Sequence, residues 1–261
     1  MDLSLNEEQT LIQDIARKFA KTELAPVAET LDQTGDRAIL LKNLKKLAEL
    51  GFMGLNIDGS YGGTEAGSIA FSVAITEVAR GCASTAVTTS VTNMVAEVIQ
   101  SVGNSSQKDK YLPKLCSGEY AAGAFCLTET SAGSDPSAMK TSAILEGDSW
   151  ILTGNKQFIT SAEYAGVFVV WAVTDKSKPK GKGISCFLVE ANTPGITVSK
   201  AEEKMGQKAS PTNEVNFSNC RIPASAMMGK ENKGFGVAVG ELAGGRIGIG
   251  SLALGIGLAA M

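Results

Sequence analysis

Hydroxyl and glycine residues follow an apolar run at Phe125-Cys126-Leu127-Thr128-Glu129-Thr130-Ser131-Ala132-Gly133-Ser134-Asp135. The chemistry open to such a segment is recognition rather than bond cleavage. Its hydroxyls and main-chain N–H groups supply short-range donors and acceptors, and Gly133 lets the main chain approach a ligand where a β-carbon would collide. The same pattern also describes an ordinary strand that ends in a Ser/Gly turn. A second cluster, Gly154-Asn155-Lys156-Gln157-Phe158-Ile159-Thr160, is an aromatic-bearing strand that again ends in threonine. The chain has no histidine, which excludes Ser-His-Asp hydrolysis, Cys-His proteolysis and His-ligated metal sites. Proton transfer falls to carboxylates, lysine, tyrosine or a cofactor.

Of the 261 residues, 44% are hydrophobic and 20% charged, enough for one large or two ordinary domains with an ample core. A net charge of −3 lacks the basic excess of a nucleic-acid or anionic-membrane binder. The five cysteines, at 82, 116, 126, 186 and 220, have no disulfide-framework or metal-cluster spacing, which fits a reducing compartment. The N-terminus, Met1-Asp2-Leu3-Ser4-Leu5-Asn6-Glu7-Glu8, has neither a basic nor an apolar region of the export type.

The elements that must position these segments come in two kinds. Asn6 and Gln9 at capping-box spacing start a helix with Leu11, Ile12, Ile15, Phe19 and Leu24 on one face, which Pro26 is expected to break or kink. Further helices are predicted over 38–50, stopped by Gly51, over 69–79, 88–102 and 107–116, with a turn at Tyr61-Gly62-Gly63. After Gly118 come β-type runs at 143–145, 150–152, 167–171, 184–189 and 214–217. Helices followed by strands, rather than alternating with them, predict an α+β multidomain protein: an all-α domain over 1–119, a middle β-barrel or sandwich domain over 120–232, and a return to helix over 233–261. Residues 247–261 carry no charge but fall short of the about 20 apolar residues of a membrane span. They read as the opening of a buried helix, with a membrane tail as the lesser alternative.

The two hydroxyl-bearing segments in a β domain, after an all-helical one, resemble the acyl-CoA dehydrogenase flavoenzymes. The ordered series Tyr61-Gly62-Gly63, Cys82-Ala83-Ser84-Thr85, Tyr111-Leu112-Pro113, Thr193-Pro194-Gly195, Lys204-Met205-Gly206, Gly234-Phe235 and Gly245-Arg246-Ile247 extends the resemblance over the whole chain. It implies an N-terminal all-α domain, a middle β-barrel domain and a C-terminal helical bundle, of which 233–261 form the first helix, enclosing FAD and an acyl-CoA thioester, with a glutamate taking the α-proton and flavin N5 the β-hydride. By the same resemblance Phe125 to Ser134 form the FAD loop, with Leu127 against the ring, Thr128 at the pyrimidine edge, and Gly133 and Ser134 near the pyrophosphate and the pantetheine arm. Phe158, Ile159 and Thr160 lie along the flavin, with the Thr160 hydroxyl at its N5/O4 edge. Gly181 and Lys182 fall near the CoA phosphates, unless the lysine-rich loop is only a solvated turn. Arg246 matches an arginine at the start of a helix that lines the acyl channel; its alternative role is an ion pair at a helix end.

The sequence departs from that pattern at Thr130, often proline in the family, at Phe158, often tryptophan, and at Ala243, often aspartate. Most members place the base in a segment that matches nothing before Met261, and the minority position is here Gly245. The resemblance therefore implies a truncated member in which a base is expected beyond Met261, with Glu241 off the matching position. The implied reaction is α,β-dehydrogenation of a short- or branched-chain acyl-CoA, with electrons passed to an electron-transferring flavoprotein. The expected setting is the cytoplasm, or the mitochondrial matrix in a eukaryote, with no nucleic acid or membrane as partner; full-length members are homo-oligomers. The rival is a non-catalytic flavin- or acyl-CoA-binding module. A Rossmann nicotinamide enzyme is disfavoured, since no G-x-G-x-x-G joins a strand to a helix.

Overall fold

A computed structural model describes residues 4–261; Met1 to Leu3 lie outside the described residues. Helix α1 (Glu7–Phe19) opens on the expected reciprocal cap, Asn6 Oδ1 accepting from Gln9 N–H at 2.8 Å and Gln9 Oε1 from Asn6 N–H at 3.1 Å. Near Pro26 the α-helix is interrupted, as expected, although the helical course does not end. A π-type turn over Ala20–Leu24 leads directly into α2 (Ala25–Thr34), where Pro26 occupies the first turn and its missing N–H breaks no helical bond. Asp36 caps α3 (Arg37–Glu49), and Gly51 at φ +80° turns the chain away from it.

Helices α4 (Gly67–Gly81), α5 (Ala83–Val102) and α6 (Ser105–Cys116) complete the N-terminal helical domain. Its main core joins α1 to α5 through Phe19, Leu24, Leu40, Leu44, Leu47, Ile75 and Val78. Buried Glu77 on α4 pairs with Arg17 of α1 at 2.8 Å and with Arg80 at 3.2 Å, which satisfies a carboxylate that burial would otherwise penalise.

The middle domain is an eight-stranded sheet of β1 (Ala122–Cys126), β2 (Ser142–Glu146), β3 (Ser149–Thr160), β4 (Ala165–Val173), β5 (Ile184–Glu190), β6 (Ile196–Val198), β7 (Thr212–Pro223) and β8 (Met227–Met228). Its order is β6-β7-β3-β2-β4-β5-β8, with β1 parallel to β4. Trp150, Leu152 and Ile159 of β3, Phe168 and Val170 of β4, Phe187 and Val189 of β5, and Val215 and Phe217 of β7 share one cluster, so the sheet curls over its own core as a barrel does. The other face of β4 and β5, with Val167, Val169, Trp171, Cys186 and Leu188, packs on α5 and α6. Burial on both faces explains why these two strands read as unbroken apolar runs rather than alternating ones.

The chain then forms α7 (Gly234–Ala260), tied to β4 by Trp171 Nε1 donating to Gly234 O at 2.8 Å. Its Gly248, Ser251, Leu252 and Gly255 are buried. Ser251 Oγ lies 2.8 Å from Ser72 Oγ, and a β-carbon at Gly255 would come within 2.3 Å of Thr76 O, so α7 and α4 are in main-chain contact. The expectation of a buried helix holds for this face alone: Ile247, Ile249, Leu254, Ile256 and Leu258 are exposed. By length and composition α7 is also apolar enough to cross a membrane.

Candidate functional site

The two segments singled out from the sequence are neighbours. Where the chain leaves β1, Gln157 N–H donates to Thr128 O at 2.8 Å and Lys156 Nζ donates to Leu127 O at 3.2 Å, fastening the loop to β3. The β3–β7 ladder shifts register between Lys156 and Ile159. This bulge leaves Phe158 at φ +59° with its ring 62% exposed. A left-handed backbone at a bulky residue costs about 1–3 kcal/mol, and the described residues leave Phe158 mostly uncovered in return. Beside it, the half-buried hydroxyls of Thr128 and Thr160 have no hydrogen-bond partner among the described residues.

The structure separates the sequence candidates by what each can present. Thr128, Gly133, Ser134, Phe158 and Thr160 reach solvent, whereas Leu127 and Ile159 are buried and offer only main chain. The Phe125 ring is half-buried and lies against Trp171, with ring centroids 4.3 Å apart at 46°. At Gly133 a β-carbon would meet only Thr128 Cγ2, at an ordinary 3.9 Å, so no atom of the described residues requires glycine there and the space is open to a ligand. An exposed aromatic face, two uncommitted hydroxyls and an open glycine-serine turn fit the ring, polar edge and pyrophosphate of the flavin that the resemblance implies.

Gly181 lines a cleft of about 560 Å³ together with Lys140, Lys176, Lys178 and Lys180. Lys178 pairs with Asp175 at 3.6 Å and Lys180 pairs with Asp135, leaving Lys140 and Lys176 without a carboxylate partner among the described residues. The Lys180 contact and the Ser137 hydroxyl hold Asp135 below the usual carboxylate range. The cleft suits an anionic group. Lys182 does not line it; this residue is exposed, and its N–H closes a turn on Pro179 O at 2.9 Å. Lys140 was not found from the sequence, because only the fold brings it to the lysine-rich loop.

Arg246 lies in the middle of α7 rather than at a helix start, exposed and with no carboxylate partner among the described residues, so the helix-end ion pair is not formed. One helical turn before Gly245 stands Glu241. Burial, reinforced by Glu97, pushes its carboxyl up to about 8, and its buried Oε1 has no hydrogen-bond partner among the described residues. Glu97 is raised as well, by burial, although it accepts from Asn56 Nδ2 at 2.7 Å. Glu241 is therefore largely protonated at neutral pH. The five thiols are free and buried; burial raises Cys126 to about 12 and Cys116 and Cys220 to about 11, which removes these three as nucleophiles. No metal-binding cluster of His, Cys, Asp or Glu occurs among the described residues.

Residues 6–119 match the family model described as acyl-CoA dehydrogenase, N-terminal domain, and residues 124–220 the corresponding middle domain. Among curated relatives, acryloyl-CoA reductase (NADH) of Anaerotignum propionicum is 41% identical over 98% of this chain and 64% of its own length. The short-chain specific acyl-CoA dehydrogenase of Clostridium acetobutylicum is 40% identical over 98% and 67%. The chain thus spans about two thirds of the length of these relatives. Among solved structures, a chain in that of the electron transferring flavoprotein of Acidaminococcus fermentans superposes with a TM-score of 0.95 at 40% identity, over 100% of this chain and 68% of that one. Butyryl-CoA dehydrogenase from Megasphaera elsdenii gives 0.93 at 38%, over 100% and 68%. Acyl-CoA dehydrogenase complexed with FAD from Bacillus anthracis gives 0.89 at 31%, over 97% and 42%.

Proposed function

This chain belongs to the acyl-CoA dehydrogenase family, and from that premise we propose that it holds FAD and faces it towards a short- or branched-chain acyl-CoA for α,β-dehydrogenation, with an electron-transferring flavoprotein as the next electron carrier. The observation that carries the reading is the strained, exposed Phe158 together with the uncommitted hydroxyls of Thr128 and Thr160 on the same two joined segments. FAD, when bound, supplies the hydride acceptor. The chain's own residues orient and enclose: Thr128 and Thr160 donate to the flavin's polar edge, Phe158 covers one face of the ring, and Gly133 and Ser134 leave room for the pyrophosphate. Lys140 and Lys176 offer positive charge to the thioester's phosphates, in the cleft beside Gly181.

Taking the α-proton needs an ionised carboxylate, and near Arg246 the supply is poor. Gly245 has no side chain, and Glu241, raised to about 8, is mostly protonated at neutral pH. That observation favours a second reading, in which the 261 residues act as a flavin- and acyl-CoA-binding module without turnover. Anaerobic mixing of the FAD-loaded chain with butyryl-CoA and branched thioesters separates the two. Both readings expect thioester binding to perturb the flavin spectrum; slow or no bleaching supports the module, and rapid full bleaching reveals a base among these residues. A spectrum that no thioester perturbs removes the acyl-CoA assignment.

A further inference from the structure

One ion pair lies inside the sheet domain, next to both flavin-facing segments. Lys156 of β3 is fully buried, and Glu129, in the loop after β1, is 6% exposed. Lys156 Nζ donates to Glu129 Oε1 at 2.9 Å, to Leu127 O at 3.2 Å and to Met139 Sδ at 3.8 Å, so each of its three protons has an acceptor. Glu129 also accepts from Thr141 N–H on Oε1 at 3.0 Å and from Lys140 N–H on Oε2 at 2.6 Å. The two charges thereby join the carbonyl before Thr128, the turn after it, the entrance to β2, and β3 two residues ahead of Phe158. The adjacent Gln157 N–H holds the Thr128 carbonyl at 2.8 Å.

Such a pair is a poor means of gaining stability, because the desolvation of two charges offsets their attraction and apolar residues of similar shape serve as well. What it adds is direction: fixed donors and acceptors on every side of one peptide. Burial lowers Lys156, and the Glu129 charge opposes it. Burial also raises Glu129, but Lys156 and the hydrogen bonds outweigh this and hold it below the usual carboxylate range. Glu129 therefore stays ionised at neutral pH, and its charge favours the protonated form of Lys156 against the effect of burial. Lys156 exposes no surface to a ligand, and Glu129 spends both oxygens on the protein.

We propose that Lys156 and Glu129 are positioning residues for the flavin, a buried strut that sets the Thr128 and Phe158–Thr160 edges before the cofactor arrives; the proposal rests on the flavin reading above. The double variant Lys156→Met/Glu129→Gln removes both charges at similar shape and keeps the fold within reach. Its FAD dissociation constant, measured by titration, is expected to rise by about tenfold or more, with an altered visible circular dichroism of the bound flavin. A pair that only stabilises the fold would leave that spectrum unchanged. Wild-type affinity and spectrum in the folded double variant overturn the strut alone. Wild-type protein that takes up no FAD overturns the flavin reading, and the strut with it. If the double variant does not fold, amide hydrogen exchange on the wild type decides. Lys140, Thr141 and Gln157 are expected to be protected already without FAD; protection that arises only on adding FAD contradicts a preset strut.

Discussion

Replacing Phe158 with glycine is expected to leave the flavin-free protein as stable as before, or slightly more so, while weakening its hold on FAD by about tenfold or more. The two halves rest on different terms. In the free protein the left-handed backbone at Phe158 costs about 1–3 kcal/mol, which glycine removes, against about 0.5–1 kcal/mol for glycine's greater freedom in the unfolded chain. The ring is 62% exposed, so its removal forfeits little burial. A core phenylalanine truncated in this way would instead cost about 3–5 kcal/mol. In the bound protein the ring is an aromatic face against the flavin, and loss of about 1.4 kcal/mol of stacking and burial is a factor of ten. Chemical unfolding of the flavin-free variant and an FAD titration read the two effects separately. A loss of about 3 kcal/mol in the free protein would mean that the ring serves the core, and unchanged affinity would mean that it does not meet the flavin.

The paired substitution Thr128→Val with Thr160→Val is expected to act in the same selective way through hydrogen bonding. Neither hydroxyl has a partner among the described residues, so the flavin-free protein loses no bond and its unfolding midpoint stays near that of the wild type. With FAD bound, each hydroxyl is worth about 0.5–1.5 kcal/mol against a neutral acceptor, and more where charge develops. Together they amount to about 1–3 kcal/mol, or roughly five- to a hundredfold in affinity. Because a donor at the N5/O4 edge favours the electron-rich reduced ring, the reduction potential of the bound flavin is also expected to fall. Retained affinity with an unchanged potential would separate these threonines from the cofactor. A large drop in the stability of the free protein would show that the hydroxyls have structural partners after all.

Much of the fold was legible because it follows from short-range rules. Asn6 and Gln9 announce the start of α1, Gly51 the end of α3, and the apolar runs at 167–171 and 184–189 the two central strands. The order of helices before strands carried the domain architecture. What was not legible depends on partners distant in sequence. Lys156 carries no local sign of its partner, which only the return of the Glu129 loop supplies. Lys140 reaches the lysine-rich cleft by the curl of the sheet.

The hydroxyl loop was visible as a ligand-binding candidate, and the open space at Gly133 leaves room for the ligand approach expected of it. The strain at Phe158 left no trace in sequence, since the bulge that creates it is a register shift against β7. Pro26 shows the limit of a local rule. A wider π-type turn just before it absorbs the disruption, and the helical course continues.

The visible absorption spectrum of the purified 261-residue chain during titration with FAD tests the central claim most directly. The expected result is stoichiometric uptake, with the flavin bands perturbed and flavin fluorescence changed as the ring settles between Phe158, Thr128 and Thr160. A colourless protein that leaves added FAD free, with the spectrum of FAD in buffer, would contradict it.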